Sequence, residues 1–178
     1  MGEATLDADR TEIAIVGKTV YLRPIGMATQ ANSLGIPDFL RAVFRLGCRH
    51  VVFDLGQCTG MDSTFLGVVA DAATALPQTP GKTVLVVNAD ERLVALLQRI
   101  GLVPLISLHA GTATPPDCIQ FRQIDFVHFP ATEVERLTKI KDLHQKLCQL
   151  NEKNRRLFGS FITMLEEELG QKDGADKK

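Results

Sequence analysis

Val51-Val52-Phe53-Asp54-Leu55, followed after a short loop by Met61-Asp62-Ser63-Thr64-Phe65-Leu66-Gly67, is the stretch from which the fold is read. The first run is apolar without alternation and holds one carboxylate near its end, the pattern of a strand buried on both faces of a parallel or mixed sheet. Residues 56–61 read as a loop. Asp62-Ser63-Thr64 then forms the polar opening of an apolar helix over 65–76, stopped by Pro77 and Pro80. Residues 83–88, Thr-Val-Leu-Val-Val-Asn, repeat the buried-strand pattern.

Upstream, residues 12–16 and 19–23 are β-rich runs joined by Gly17-Lys18, a two-residue hairpin connection in which glycine tolerates positive φ. Residues 37–46 place Leu40, Val43 and Phe44 on one helical face, with Pro37 at the start. The segment 29–35 is left open between helix and loop. Downstream, Asp90 caps a helix over 91–100 that buries Leu93, Leu97 and Ile100 and ends at Gly101. Residues 105–108 read as a short strand, 109–117 as loop, and 119–127 as an edge strand. The alternation of helix and strand after the hairpin predicts an α/β fold, a mixed sheet of about four to five strands covered by helices.

Composition sets limits on function. The 178 residues are 45% hydrophobic, enough for a core, and 20 basic against 21 acidic side chains leave no electrostatic footprint for nucleic acid or an anionic membrane. No apolar run reaches bilayer-spanning length, and residues 1–12 lack the features of a signal peptide, so a cytoplasmic location is expected. Cys48, Cys58, Cys118 and Cys148 are widely spaced and read as reduced thiols. Neither they nor His50, His109, His128 and His144 have metal-ligand spacing, so no metal or cofactor is expected and each histidine is assigned to packing or surface.

Placed after Val-Val-Phe-Asp-Leu, the segment Met61-Asp62-Ser63-Thr64-Phe65-Leu66-Gly67 resembles the signature of the bacterial STAS domain of the anti-sigma-factor antagonist type. Gly81-Lys82, the strand over 83–88 and the helix end Arg99-Ile100-Gly101-Leu102 extend the resemblance over roughly residues 12–130. The resemblance implies a non-catalytic partner switch. Ser63 is then the phosphorylation site, Asp62, Thr64 and Asp54 support it, and Met61, Phe65 and Leu66 face the partner. The implied partners are an anti-sigma factor that is also a serine kinase, bound while Ser63 is unphosphorylated, and a serine phosphatase. Phe65 stands where the family has glycine and is expected to alter the partner-facing surface.

Elementary electrostatics is compatible with such a switch. A serine in the first turn of a helix lies beside free N–H groups, so a phosphate there gains about 0.3–1 kcal/mol from the helix end. Repulsion from Asp62 and Asp54 offsets part of that, leaving the fold largely intact and the effect at an interface. The alternatives are a constitutive docking subunit, and a hydrolase using Ser63 and Asp62 with Asp54 and His109 in reach. The second lacks a Gly-x-Ser-x-Gly elbow. Gly17-Lys18-Thr19 and Gly81-Lys82-Thr83 lack the upstream glycine of a phosphate-binding loop and read as turns.

Residues 131–178 carry 10 basic and 9 acidic side chains in 48 residues, a different composition from the charge-poor first part. Four segments are expected: a flexible start over 1–11, the domain over 12–130, a helix over 131–169, and a disordered tail over 170–178. Thr132 and Glu135 have capping-box spacing. Leu143, Leu147, Leu150, Asn154, Leu157, Phe161 and Met164 step by fours and threes, a coiled-coil seam in which a buried Asn154 would pair with its symmetry mate in a homodimer. Leu137, Phe158 and Leu165 widen the stripe and fit equally well with packing back onto the domain.

Overall fold

The structure is a computed structural model describing residues 9–75, 83–109, 111–115, 119–124 and 132–175. Among the described residues seven strands form one mixed sheet: β1 (Arg10–Val16), β2 (Thr19–Ala28), β3 (His50–Asp54), β4 (Cys58–Met61), β5 (Thr83–Val87), β6 (Ser107–Leu108) and β7 (Arg122–Ile124). Their order is β6-β5-β3-β2-β1-β7, with β4 pairing alongside the far end of β2. β1 is antiparallel to β2 and to β7, whereas β2/β3, β2/β4, β3/β5 and β5/β6 are parallel. The helices are α1 (Gln30–Ser33), α2 (Ile36–Arg45), α3 (Ser63–Ala75), α4 (Glu91–Ile100), α5 (Glu133–Leu150) and α6 (Glu152–Ala175).

The α/β architecture is the one expected, and the sheet is wider than the expected four to five strands for local reasons. The opening hairpin turns at Gly17 with φ +58° as predicted, but β2 continues through Pro24 to Ala28. That extension gives residues 58–61, expected as loop, a parallel strand to pair with. The expected strand over 105–108 shrinks to two residues because Val103–Leu105 is a 3-10 turn. Of the edge strand expected over 119–127, residues 122–124 pair with β1. Residues 125–127, Pro77, Pro80, Gly81-Lys82, Cys118 and His128 lie outside the described residues.

Two expectations at the ends are corrected. Arg10 and Thr11 are not a flexible start: Thr11 is fully buried and its hydroxyl donates to the Asn32 carbonyl. At the other end α6 runs to Ala175, past the expected helix end at 169.

The core lies between the sheet and α2, α3 and α4, centred on Val20, Leu22, Val51, Phe53, Phe65, Val68 and Leu97. α5 joins the same core through Leu137, Ile140, Leu143 and Leu147, each no more than 4% exposed. Burying four such side chains contributes about 1.5–3 kcal/mol each, so α5 is part of the domain's packing, whatever the change in charge density near residue 130.

The single helix expected over 131–169 is broken. Asn151 adopts an extended conformation (φ −166°, ψ 166°), ends α5 and caps α6 by accepting from the Asn154 N–H at 2.8 Å. The two helices fold against each other as a hairpin. The Asn151 and Asn154 amides both donate to the Ile100 carbonyl, at 3.0 and 2.9 Å, and Asn154 also donates to the Leu147 carbonyl. Asn154 is therefore buried inside its own chain instead of across a dimer seam. Leu143 and Leu147 pack on the domain, and only Leu157 and Met164 of the seven seam positions are more than half exposed.

Candidate functional site: the start of helix α3

α3 begins where β4 leaves the end of the sheet, and Asp62 fixes that start. One carboxylate oxygen accepts from the Phe65 N–H at 2.8 Å, as an N-cap does, and the other accepts from the Gln30 N–H at 2.8 Å, tying α3 to the start of α1. The Leu66 N–H reaches the Asp62 carbonyl, which leaves the Ser63 and Thr64 N–H groups at the open helix end.

Ser63 is partly exposed, and its hydroxyl meets a residue 81 positions away: Oγ lies 2.8 Å from His144 Nε2 on α5. His144 Nδ1 lies 2.8 Å from the Ile140 carbonyl oxygen. A carbonyl only accepts, so Nδ1 carries the proton and Nε2 accepts from the Ser63 hydroxyl. The imidazole is 1% exposed and stands edge to face with Phe158 and Phe161 of α6, at centroid distances of 5.4 and 4.7 Å. Burial pushes its pKa below the ordinary 6.5, against the opposing pull of the Ile140 hydrogen bond and the Asp62 charge.

α5 approaches α3 closely at this point. A Cβ on Gly67 would lie 2.8 Å from the Leu143 carbonyl oxygen, so the glycine is what lets the two backbones touch. Around the rim, Lys139 reaches Asp38 and Lys146 lies 3.6 Å from Asp71. Arg41 bridges both carboxylates, at 2.8 and 3.3 Å. Burial opposes ionisation of Asp38, but the Lys139 and Arg41 hydrogen bonds outweigh it and hold its pKa below the ordinary value.

A model of the STAS domain matches residues 10–114. The chain belongs to the STAS domain family. Two solved structures are similar to it: the anti-sigma factor antagonist SpoIIAA in its unphosphorylated form, and the Bacillus cell fate determinant SpoIIAA in the phosphorylated form. They are 18% and 19% identical, each covering 56% of this chain and 88% and 91% of their own, with TM-scores of 0.47. No curated protein matches the chain. The family match ends before α5, so His144 and the helical hairpin lie beyond it.

Within this STAS domain the predicted site residues separate into three groups. Asp62 and Ser63 stand together at the helix start, with Thr64 beside them but 4% exposed. Asp54 is elsewhere: it accepts from Arg23 at 3.1 Å, Asn88 at 2.8 Å and the Gly56 N–H at 3.2 Å, and none of its hydrogen bonds goes to Ser63. It anchors Asn88, which holds φ +59° and pairs through its side chain with both backbone groups of Ala113, fixing the loop over 111–115. Met61, Phe65 and Leu66, expected to face a partner, are 9%, 0% and 3% exposed. Phe65 packs edge-on against Phe53, centroids 6.0 Å apart, so it fills the core instead of altering the surface.

The hydrolase constellation does not assemble as expected. Asp62 spends both oxygens on backbone N–H groups, and His109 follows β6 with its N–H on the Val86 carbonyl. The imidazole that reaches Ser63 is His144, oriented by a carbonyl in place of a carboxylate. It could have been found in the sequence, because Leu137, Ile140, His144 and Leu147 step by three, four and three along one face of α5. A polar ring within a buried stripe calls for a hydrogen-bond partner. Among the described residues no group of side chains could hold a metal ion, and no helix is long and apolar enough to cross a membrane.

Proposed function

We propose that this STAS domain is a phosphorylation-controlled partner switch of the anti-sigma-factor antagonist type, working in the cytoplasm as a binding protein and not as an enzyme. Ser63 is the phosphate acceptor. Unphosphorylated protein binds an anti-sigma factor that is also a serine kinase, phosphorylation releases the complex, and a serine phosphatase restores it.

The observation that carries this function is the setting of the Ser63 hydroxyl: partly exposed, in the first turn of α3, beside the N–H groups of Ser63 and Thr64. A phosphate on Oγ lies next to those donors without entering the core, while Asp62 stays engaged as the cap. Roughly two added negative charges then act at the partner interface, where they must be desolvated or paired. With Met61, Phe65 and Leu66 buried, contact with the partner falls to exposed side chains at this end of the sheet, Met27 and Gln30. Self-association, on the same proposal, stays on α6 through Leu157 and Met164. A monomer by sedimentation velocity at micromolar concentration removes that part.

The test is a pull-down from native lysate with phosphopeptide mapping, followed by titration of the captured kinase with wild-type, Ser63→Asp and authentically phosphorylated protein. Affinity should fall by tenfold or more in both modified forms, about 1.4 kcal/mol. Unchanged affinity in both makes the domain a constitutive docking subunit.

A further inference from the structure

Partner switching requires only that Ser63 be modified; it does not require the buried imidazole on the same hydroxyl. His144 Nε2 accepts from Ser63 at 2.8 Å, and the Nδ1 proton is committed to the Ile140 carbonyl. Among the described residues, the elements around the ring supply few other charges. α3 brings Ser63, with Asp62 just before it, α5 brings the Ile140 carbonyl, and α6 brings Phe158 and Phe161. Asp62 is the ionisable group whose field reaches the imidazole, and it favours the cation.

Building on the phosphoserine assignment, we propose that His144 takes the Ser63 hydroxyl proton during phosphoryl transfer and then, as an imidazolium, holds the phosphate. In transfer from a nucleoside triphosphate, a bond forms between Oγ and the γ-phosphorus. The bond from that phosphorus to the β,γ-bridging oxygen breaks, and the nucleoside diphosphate leaves with the bond's electron pair. The proton moves from Oγ to Nε2. Charge balances without solvent: a neutral serine and neutral imidazole become a phosphate dianion beside an imidazolium, while the nucleotide goes from four negative charges to three.

The protonated product follows from what the alternative entails. An unprotonated Nε2 would face the lone pairs of a phosphoester at hydrogen-bond distance, with the Asp62 carboxylate adding repulsion. One proton turns the clash into a charge-assisted donor–acceptor pair. Burial, which keeps the ring neutral beside a hydroxyl, opposes this. An opposite charge within reach shifts a pKa by about 1–3 units toward the charged form, which for a histidine is upward. The ring need not travel, because α5 is held against α3 by Leu143 on Gly67 and by Lys146 near Asp71.

The experiment uses the full chain with phosphoserine installed at position 63 during translation, compared with unmodified protein, both 15N-labelled. Long-range proton–nitrogen correlation follows the His144 ring from about pH 5 to 9, which contains the interval of about 5 to 8 over which a histidine ordinarily switches. Single His50→Gln, His109→Gln, His128→Gln and His144→Gln variants assign the four rings of the spectrum. The unmodified ring should show a proton on Nδ1 alone at neutral pH and a midpoint below 6.5. The phosphorylated ring should carry protons on both nitrogens at pH 7, with its midpoint raised by about 1–3 units. An unchanged midpoint, or a neutral ring at pH 7 in the phosphoprotein, overturns the proposal. A raised midpoint with unaltered kinase affinity would leave His144 its role and remove the switch; the reverse outcome would keep the switch and remove the role.

Discussion

Replacing Gly67 by alanine tests the packing that brings His144 to Ser63. A Cβ there would lie 2.7 Å from Leu143 Cβ, 2.8 Å from its carbonyl oxygen and 3.0 Å from its carbonyl carbon, where ordinary contacts begin at 3.4 Å. Two of the three atoms are backbone and cannot rotate away, so α5 must retreat from α3 along its length. Overpacking of this kind costs about 1–3 kcal/mol, while alanine in place of glycine inside a helix returns about 1 kcal/mol. Gly67→Ala should therefore lose about 0–2 kcal/mol net. Gly159, inside α6, has nothing within 4 Å of an added Cβ, so Gly159→Ala should only gain, by up to about 1 kcal/mol. The two variants make the same chemical change and should differ by about 1–3 kcal/mol with the buried site as the loser. Urea unfolding followed by circular dichroism measures this from the midpoints, provided the slopes agree. If Gly67→Ala stabilises the chain as much as Gly159→Ala does, the α3–α5 contact is absent and the Ser63–His144 pair goes with it.

Two further outcomes follow from the hairpin. Asn154→Ala removes the donor to the Leu147 and Ile100 carbonyls; Asn151 still serves Ile100, so one buried carbonyl loses its side-chain partner, at a cost of about 1–3 kcal/mol in the same urea assay. Acid should weaken the fold through His144. Burial holds its folded pKa below 6.5, so on lowering the pH the unfolded chain takes up a proton before the folded one. Stability is full above about 6.5 and declines below it by up to 1.4 kcal/mol per pH unit, levelling off beneath the folded pKa. His144→Gln should flatten that decline, and an equal decline in both proteins would assign it to other groups.

What the sequence made legible were the elements whose signal is local. The unbroken apolar run at 51–55, the proline-bounded helix after Asp62, the Asp90 cap with its hydrogen bond to the Leu93 N–H, and Gly101 at φ +84° each carry their cause within a few residues. β4 is not legible because Cys58-Thr59-Gly60-Met61 has no strand periodicity and pairs only because β2 overruns Pro24. The burial of Phe65 is hidden for a related reason. The family pattern places a small residue after the hydroxyl pair, and only the structure shows that this position points at Phe53.

The C-terminal segment shows why a heptad-like pattern cannot by itself choose a partner. Leu143, Leu147, Leu150, Asn154, Leu157, Phe161 and Met164 keep the four-three spacing of a seam, yet Leu137, Ile140, His144 and Leu147 keep the same spacing along α5. The two stripes share Leu147 and diverge around it. An asparagine on an apolar stripe needs a buried carbonyl or amide to satisfy it, and either a second copy or the chain's own backbone can supply one. Here the buried C-terminal carbonyl of α4 at Ile100 is that partner, and it is within reach only if the helix breaks. Asn151 and Asn154 therefore end α5 instead of extending it, and the reversal sends Phe158 and Phe161 back over His144. The same two asparagines that suggest an intermolecular coil thus close the aromatic side of the Ser63 site, which ties the site's geometry to a segment outside the family match.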